Sequence, residues 1–502
     1  MTKFKLSIYL IVVCVFMWGC DGIFDVEPST ARDGEEILTS DEGVEALRNS
    51  MYSQLRSPGG DAEENIHYTT EYFIGPSAMA DETRNSVGST RLEDLNASVS
   101  NDGSREHLRS WFATYQIVKD ANQMISAVDE ESLEDVNLDR YQGEAYALRA
   151  FAFHHLVRAM GYEPGMYDMG PEDNWDYGIV LQTDPVSEID EVEMSDSRAS
   201  VDEVYEQILS DLEEAAERLE GFEERNRITE SFVHGLKARV KLYAANGDVG
   251  VSWEDAAASA DNALDAFPGT LVDDPDGVDE MFVEDAGDHP EAMFLLEVHP
   301  DVEPIAGANV NNGPAAYTSS QWVAQVPTDA ALNLYEEDDY RYNGWFEPCT
   351  NHQTGTDMQD NCEPVNENGW SVTKFNDHDG NLVDDMPYMR IAEIYLIKAE
   401  AEARASGSPD DGLDYLNTLR NARGVEDKDA DDLEEFEDLI LRERGRELIV
   451  EGHRFWDLKR MGRHIPDVDG SNKIRNDNYR MLAPVPTREQ GVNDDLIENP
   501  EY

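Results

Sequence analysis

The sequence predicts a mainly α-helical fold. We expect tetratricopeptide-like helix pairs, about four of them, stacked into one body with long irregular loops and short strands packed on it. Three observations predict this. Apolar residues recur at spacings of three and four in segment after segment, the period of one helix face. Start and stop signals bracket those segments. The stretch Phe232 to Pro268 also holds two such segments in close to the ~34 residues of a tetratricopeptide unit.

The helices follow in order. From Arg105 to Val128 the stripe is Leu108, Trp111, Phe112, Tyr115, Val118, Asn122 and Ile125. From Asp139 to Met160 it is Ala145, Leu148, Phe151, Ala152, His155, Leu156 and Ala159, with Gly161 as the stop. His154 and His155 sit within that stripe and read as packed imidazoles rather than metal ligands. Ser200 and Glu203 form a capping box for a helix carrying Val204, Ile208, Leu212, Ala215, Ala216 and Leu219. Thr229 caps the next, with Phe232, Leu236, Val240 and Tyr243 inside. Ser252 and Trp253 open its partner, with Ala256, Ala260, Ala263, Leu264 and Phe267 inside and Pro268 as the end. A helix pair unit buries its apolar face only against its neighbours, so these units imply a single body.

The most informative stretch is Pro387 to Gly462. Tyr388, Ile391, Ala392, Tyr395, Leu396, Ala399 and Ala403 predict one helix, and its alanines let a second helix approach closely. Leu413, Leu416 and Leu419 supply that partner after the Ser406-Gly407-Ser408-Pro409 break. A third helix, from Leu439 onward, is crowded with charge. Glu443 to Arg446, Glu451 to Arg454 and Asp457 to Arg460 all stand at i,i+3, which predicts a string of ion pairs on a solvated helix surface.

Between the helices, Leu55 to Asn101, Tyr162 to Ala199 and Leu271 to Met386 are rich in Gly, Pro, Asn and Asp. Loops of this length are either disordered or functional. The presence of Trp175, Tyr317, Trp322, Tyr340, Tyr342, Trp345 and Trp370 argues for order. Flat rings in loops stack on the apolar faces of sugars or hold peptide side chains, while Asp, Asn and Arg beside them bond hydroxyls or carboxylates.

Charge excludes some partners. The chain of 502 residues holds 107 Asp and Glu against 39 Lys and Arg, a formal net charge of −68. A phosphate backbone requires a basic surface, so nucleic acid is set aside, and anionic headgroups are repelled as well. Arg outnumbers Lys about threefold, and abundant acid with scarce Lys suggests adaptation to high salt. At ~1 M salt the Debye length is only ~3 Å, so the self-repulsion is screened.

The N-terminus predicts export. Lys3 and Lys5 precede an apolar run from Leu6 to Trp18, shorter than the ~20 residues of a spanning helix and in keeping with a secretory signal. The run ends Phe16-Met17-Trp18-Gly19-Cys20. This resembles a bacterial lipobox, which implies residues 1–19 as a signal peptide and a lipidated Cys20, with Met17 and Trp18 departing from the usual pattern. Cys14 leaves with the signal, so Cys349 and Cys362 remain. In an exported chain they predict a disulfide worth ~3 kcal/mol, with a metal pair near His352 as the alternative.

The motifs ERGRELIVEGHRFWDLKRMG (Glu443 to Gly462) and YMRIAEIYLIKAEAEA (Tyr388 to Ala403), with the Pro-punctuated ending LAPVPTREQGVNDDLIENPEY, resemble the SusD/RagB family. The resemblance implies a surface-exposed outer-membrane lipoprotein. It would bind a nutrient oligomer, glycan first and peptide second, and deliver it to a SusC-like TonB-dependent barrel transporter without catalysis or cofactor. It divides the mature chain into an N-terminal helical region (20–270), an aromatic-bearing insert (271–386) and a C-terminal helical region (387–502). Family members hold ligand with an N-terminal loop and the insert, here GPSAMADETRNSVGST and AAYTSSQWV. The implied ligand residues are therefore Asp81, Arg84, Tyr317 and Trp322, with Tyr342 and Trp345 behind them.

Enzyme signatures are absent: no Walker A loop, GxSxG, HExxH or redox cysteine pair occurs. The Asp273 to Gly277 and Asn376 to Gly380 runs lack the acid spacing of an EF-hand, so no Ca²⁺ or other metal site is expected. The rival readings are a tetratricopeptide-type scaffold for protein tails and a secreted glycoside hydrolase. The first calls for short loops and the second for a defined carboxylate pair.

Overall fold

Helix packing begins with α1 (Asp41–Arg56) and α2 (Tyr68–Met79), which lead into the short strand β1 (Thr83–Asn85). The structure is a computed structural model. It describes residues 38–56, 68–89, 92, 95–96, 111–127, 133, 136–185, 197–282, 289–297, 314–319, 323–351, 356–375, 385–466, 472–491, 493 and 495–502. The signal segment 1–19, Cys20, His352, Trp322 and Asn376 to Gly380 lie outside the described residues.

An array follows: α3 (Trp111–Ile125), α4 (Leu138–Met160), α5 (Val201–Arg218), α6 (Glu230–Ala244) and α7 (Trp253–Ala266). Each packs on the one before it, with α5 against α4 and α7 against α6 as the broadest contacts. The starts are fixed locally. Ser200 Oγ accepts from the Glu203 N–H and the Glu203 carboxylate accepts from the Ser200 N–H, and Ser252 with Asp255 does the same for α7. Thr229 caps α6 through the Phe232 N–H. Each such cap satisfies backbone donors that the first helical turn leaves open, worth ~1 kcal/mol.

After α7 the chain leaves the array. The excursion holds β2 (Ala292–Leu296), α8 (Ala315–Thr318), β3 (Gln325–Pro327), α9 (Asp329–Leu332), α10 (Tyr340–Gly344), β4 (Phe346–Pro348), α11 (Gln359–Cys362) and β5 (Trp370–Val372). It closes with β6 (Met386–Arg390), which pairs antiparallel with β2 and so stitches the two ends of the excursion together. The array then resumes with α12 (Ile391–Ser406), α13 (Pro409–Ala422), α14 (Leu433–Glu447) and α15 (Arg454–Arg460). Helix α12 lies against α7 as if the excursion were not there. The principal apolar core runs from Val44 to Val485, so residues before and after the excursion share it.

The α12–α13 pair forms as its small residues dictate. Ala392, Leu396, Ala399 and Ala403 meet Leu413, Leu416 and Leu419 in a satellite core completed by Phe436 and Ile440. Gly412 is required there, since a Cβ would stand 2.3 Å from the Ala399 carbonyl. Gly407, at φ +73°, ends α12 in the left-handed region.

Three expectations are corrected. Tyr388 is not on the helix. It lies on β6, where Pro387 favours an extended chain, and its hydroxyl donates to the Leu55 carbonyl. The charged third helix is two helices, α14 and α15, separated by a turn with Val450 at φ 54° and Gly452 at φ 85°. Gly452 packs on the α2 backbone so tightly that a Cβ would be 2.1 Å from the Tyr72 carbonyl.

The third correction concerns the ion pairs, which are buried rather than on a solvated surface. Glu447, fully enclosed, takes Arg341 (3.0 Å), Arg390 (2.9 Å) and Arg423 (2.9 Å). Glu443 takes Arg420 and Arg446, both at 2.7 Å, and Arg341 at 2.8 Å. Glu291 joins Arg390 to Arg423, and Glu451 joins Arg390 to Lys374. Of the three i,i+3 pairs, Glu443–Arg446 and Asp457–Arg460 form, but inside the protein. Glu451 and Arg454 instead turn to Lys374 with Arg390 and to Asp81. The reason is tertiary. Arg341 and Lys374 come from the excursion and Arg390 from the strand beneath it, so the charges of α14 are covered by the chain they hold in place.

Candidate functional site

The N-terminal stretch implied as ligand-holding pairs with the chain that directly follows the second implied stretch. Strand β1 pairs antiparallel with β3, with Arg84 opposite Val326 and Asn85 opposite Gln325. The Ser86 N–H donates to the Ala324 carbonyl and the Thr328 N–H to the Glu82 carbonyl, both extending the ladder. Side-chain amides lock it. Gln325 Oε1 accepts from Thr83 Oγ1 at 3.0 Å and Gln325 Nε2 donates to Asn85 Oδ1 at 2.5 Å. Asn96 Nδ2 donates to the Ala78 carbonyl at 2.9 Å.

Strand β5 lies beside β3 and pairs with β4. Asn366 bridges them, its Nδ2 donating to the carbonyls of Pro327 (2.8 Å) and Trp370 (3.1 Å). Cys349 and Cys362 are joined as a disulfide that packs with Val323 and Val326 beneath the ladder. The Val87 N–H reaches the Asn361 carbonyl, tying the N-terminal loop to the same disulfide-closed segment.

On this framework Tyr342 and Trp370 stand as a half-buried ring pair with centroids 5.2 Å apart. Tyr335 and Phe346 back Tyr342 at 6.0 and 6.1 Å. A tilted, partly exposed pair supported from behind has a fixed geometry. Sequence reasoning counted Trp370 among the loop aromatics but did not select it. Its spacing from Tyr342 gives no signal, because a β-hairpin and a helix end bring them together.

The remaining implied residues divide. Trp345 is enclosed at 0% exposure, its Nε1 donating to the Val278 carbonyl at 3.0 Å and Lys374 Nζ sitting 4.0 Å above the ring. Tyr317, on α8, is 3% exposed. Neither presents a ring face for stacking, so both are corrected to core anchors. Arg84 is half-buried, and its Nη1 donates to the Ala80 and Thr83 carbonyls at 2.7 Å.

Asp81 holds the loop. Its carboxylate receives Arg454 Nε and Nη2 at 2.8 and 2.9 Å, and its carbonyl accepts from Thr328 Oγ1 at 2.6 Å. Burial alone would raise the Asp81 pKa, but the Arg454 charge and hydrogen bonds outweigh it and hold it below the usual range. Its neighbour Glu82 goes the other way. Burial pushes it up to about 8, against the pull of Ser77, Arg454 and the Val450 amide.

The two histidines are packed. His154 lies edge-on between Tyr205 and Tyr243, and burial drives both His154 and His155 well below the ordinary imidazole range. Among the described residues, no group of three or more His, Cys, Asp and Glu is placed to hold a metal ion. None of their helices is long and apolar enough to cross a membrane.

Family models account for both ends of the chain. One described as the SusD family matches residues 315–502, and one described as starch-binding, associating with outer membrane matches 27–242. The chain belongs to the SusD family. It is 24% identical to SusD-like protein P38 of Formosa agariphila over 100% of this chain and 99% of that one. Its fold matches a SusD superfamily protein from Bacteroides vulgatus, with a TM-score of 0.75 at 21% identity, covering 92% of this chain and 99% of the other. It also matches a SusD-like carbohydrate binding protein from the same species, with a TM-score of 0.72 at 21% identity, covering 91% and 97%. The tetratricopeptide-like helical architecture expected from the sequence is therefore the family's.

Proposed function

We propose that this SusD-family protein is a non-catalytic receptor, anchored through a lipidated Cys20 on the outside of the outer membrane. It binds a nutrient oligomer, glycan in preference to peptide, and passes it to a SusC-like TonB-dependent barrel. The observation that carries the reading is the partly exposed Tyr342–Trp370 pair on a loop framework braced by β1, β3 and the disulfide. Rings so placed stack on sugar C–H faces. The family description as starch-binding and associating with outer membrane supports the same reading, as does the carbohydrate-binding name of a structural neighbour. Asp81, bound to Arg454, serves as the loop's anchor.

Affinity electrophoresis and calorimetry on polysaccharides, oligosaccharides and peptide mixtures, run at molar salt, test it. A glycan should bind, and Trp370→Ala and Tyr342→Ala should each weaken it about tenfold or more. Trp322→Ala, in the stretch implied by the family, belongs to the same series. Binding of peptides alone would replace the glycan, and binding of neither would end the receptor reading. Membrane fractions should yield Cys20 carrying acyl chains by mass spectrometry and a co-purifying barrel.

A further inference from the structure

We propose that a second ligand site, separate from the Tyr342–Trp370 platform, lies where the loop joining α5 to α6 meets β2, and that it takes a neutral hydroxyl-bearing ring. A cleft of about 380 Å³ opens there, at the small end of the ~300–1,000 Å³ that holds organic ligands. Its position is fixed by backbone pairing, since the Leu295 N–H donates to the Arg225 carbonyl at 2.8 Å.

Most of the polar wall is already engaged. Glu223 accepts from the Ser231 N–H and hydroxyl, each at 2.9 Å. Glu224 pairs with Arg140 at 3.0 Å, and Arg225 Nη1 donates to the His289 carbonyl at 2.7 Å. Two buried atoms of the wall have no partner, Asn226 Oδ1 and His289 Nε2. His289 is 5% exposed, and its Nδ1 accepts from the Glu291 N–H at 3.3 Å, so the neutral ring carries its proton on Nε2. Burial and then Arg390 keep that ring neutral. The wall is thus left with one acceptor and one donor. A hydroxyl answers both, because it donates and accepts. The Asn226 amide is held only by a long 3.4 Å bond from its Nδ2 to Glu297, so it turns toward a ligand at little cost.

The class of ligand follows from charge. Glu223, Glu224 and Glu297 line the cleft against the single Arg225, which rejects carboxylates, sulfates and phosphates. Two of those acids are already satisfied, and the unpaired groups are both neutral, which disfavours a cation. Pro268, Ala292 and Leu295 supply an apolar side for C–H faces. A neutral sugar ring meets all of these conditions.

Saturation-transfer NMR on the purified full chain tests this, with glucose, galactose, mannose and xylose as probes and glucuronate and putrescine as charged controls. At least one neutral sugar should give a signal that survives Tyr342→Ala/Trp370→Ala, which separates this site from the platform. That signal should fall about fivefold or more in Asn226→Leu, the worth of one lost hydrogen bond. Glu297→Trp, which plugs the rim without entering the core, should abolish it. No signal from any neutral sugar, a signal indifferent to both variants, or a stronger one from glucuronate or putrescine would each overturn the proposal.

Discussion

Two tryptophans of the same excursion, Trp345 and Trp370, end in opposite roles. Trp345 is sealed beneath Lys374 and beside the Arg341–Glu447–Arg390 network, whereas Trp370 shows part of its ring next to Tyr342. The same division separates the acids. Glu447 is surrounded by three arginines, while the acids of the outer helix faces meet solvent. What sets the roles is which side of the excursion faces the helical array. The inward side is bolted down by charge and rings, and the outward side keeps part of its ring surface open. The buried network thereby gives the loops a fixed geometry, as the proposed receptor role requires.

The largest expected effect breaks the inward side. Glu447→Gln leaves Arg341, Arg390 and Arg423 short of their shared carboxylate, and removal of one member of a buried ionic set costs ~3–5 kcal/mol. Urea unfolding should register that loss, and a change below ~1 kcal/mol would return these pairs to the surface role first expected. Trp345→Ala should destabilise by a similar ~3–5 kcal/mol. Trp370→Ala should leave the melting temperature nearly unchanged while weakening saccharide binding, so that the two variants exchange phenotypes.

Acid sharpens the same contrast. Glu443 and Glu400 are fully buried, and although burial raises their pKa values, Arg341 and Arg460 respectively lead the charges that bring them down to about 2. A carboxylate with a lowered folded-state pKa contributes stability that is present above its unfolded value near 4.5 and is lost as pH falls through 2. Each contributes about 3 kcal/mol at neutral pH on this reckoning. Stability should therefore drop steeply below pH ~4.5, with Glu443→Gln flattening that limb in pH-dependent melts.

Glu82 predicts a smaller effect of opposite sign. With burial raising its pKa to about 8, its neutral form is favoured in the fold, so its contribution is complete below ~4.5 and declines as pH rises through 8. Glu82→Gln should remove that decline. Because Glu82 adjoins β1, glycan affinity should follow the same pH course. A wild-type slope unchanged in the variant would place the titration elsewhere.

Much of the array was legible in the chain. The capping residues Ser200, Thr229 and Ser252, the stop at Gly407 and the alanine stripe of α12 act within a few residues of themselves, so their meaning survives without the rest of the fold. The pairing of β1 with β3 was not legible, because its partners lie more than 200 residues apart. What could not be read was whether Glu443, Arg446, Asp457 and Arg460 face water. Helical spacing places charges on one side of a helix and says nothing about what covers that side.

The sequence by itself determined the helices from α3 to α7, the α12–α13 pair and the acid that dresses the surface, because periodicity and capping are local properties, whereas α2 lies in a stretch read as irregular. Only the tertiary structure decided that Tyr388 is a strand residue, that the C-terminal charges are interior, and that Trp370 rather than Trp345 faces outward. Those outcomes depend on partners far along the chain. β2 pairs with β6, Arg454 with Asp81, and Arg341 and Lys374 reach back to α14, and none of these leaves a mark in the spacing of neighbouring residues.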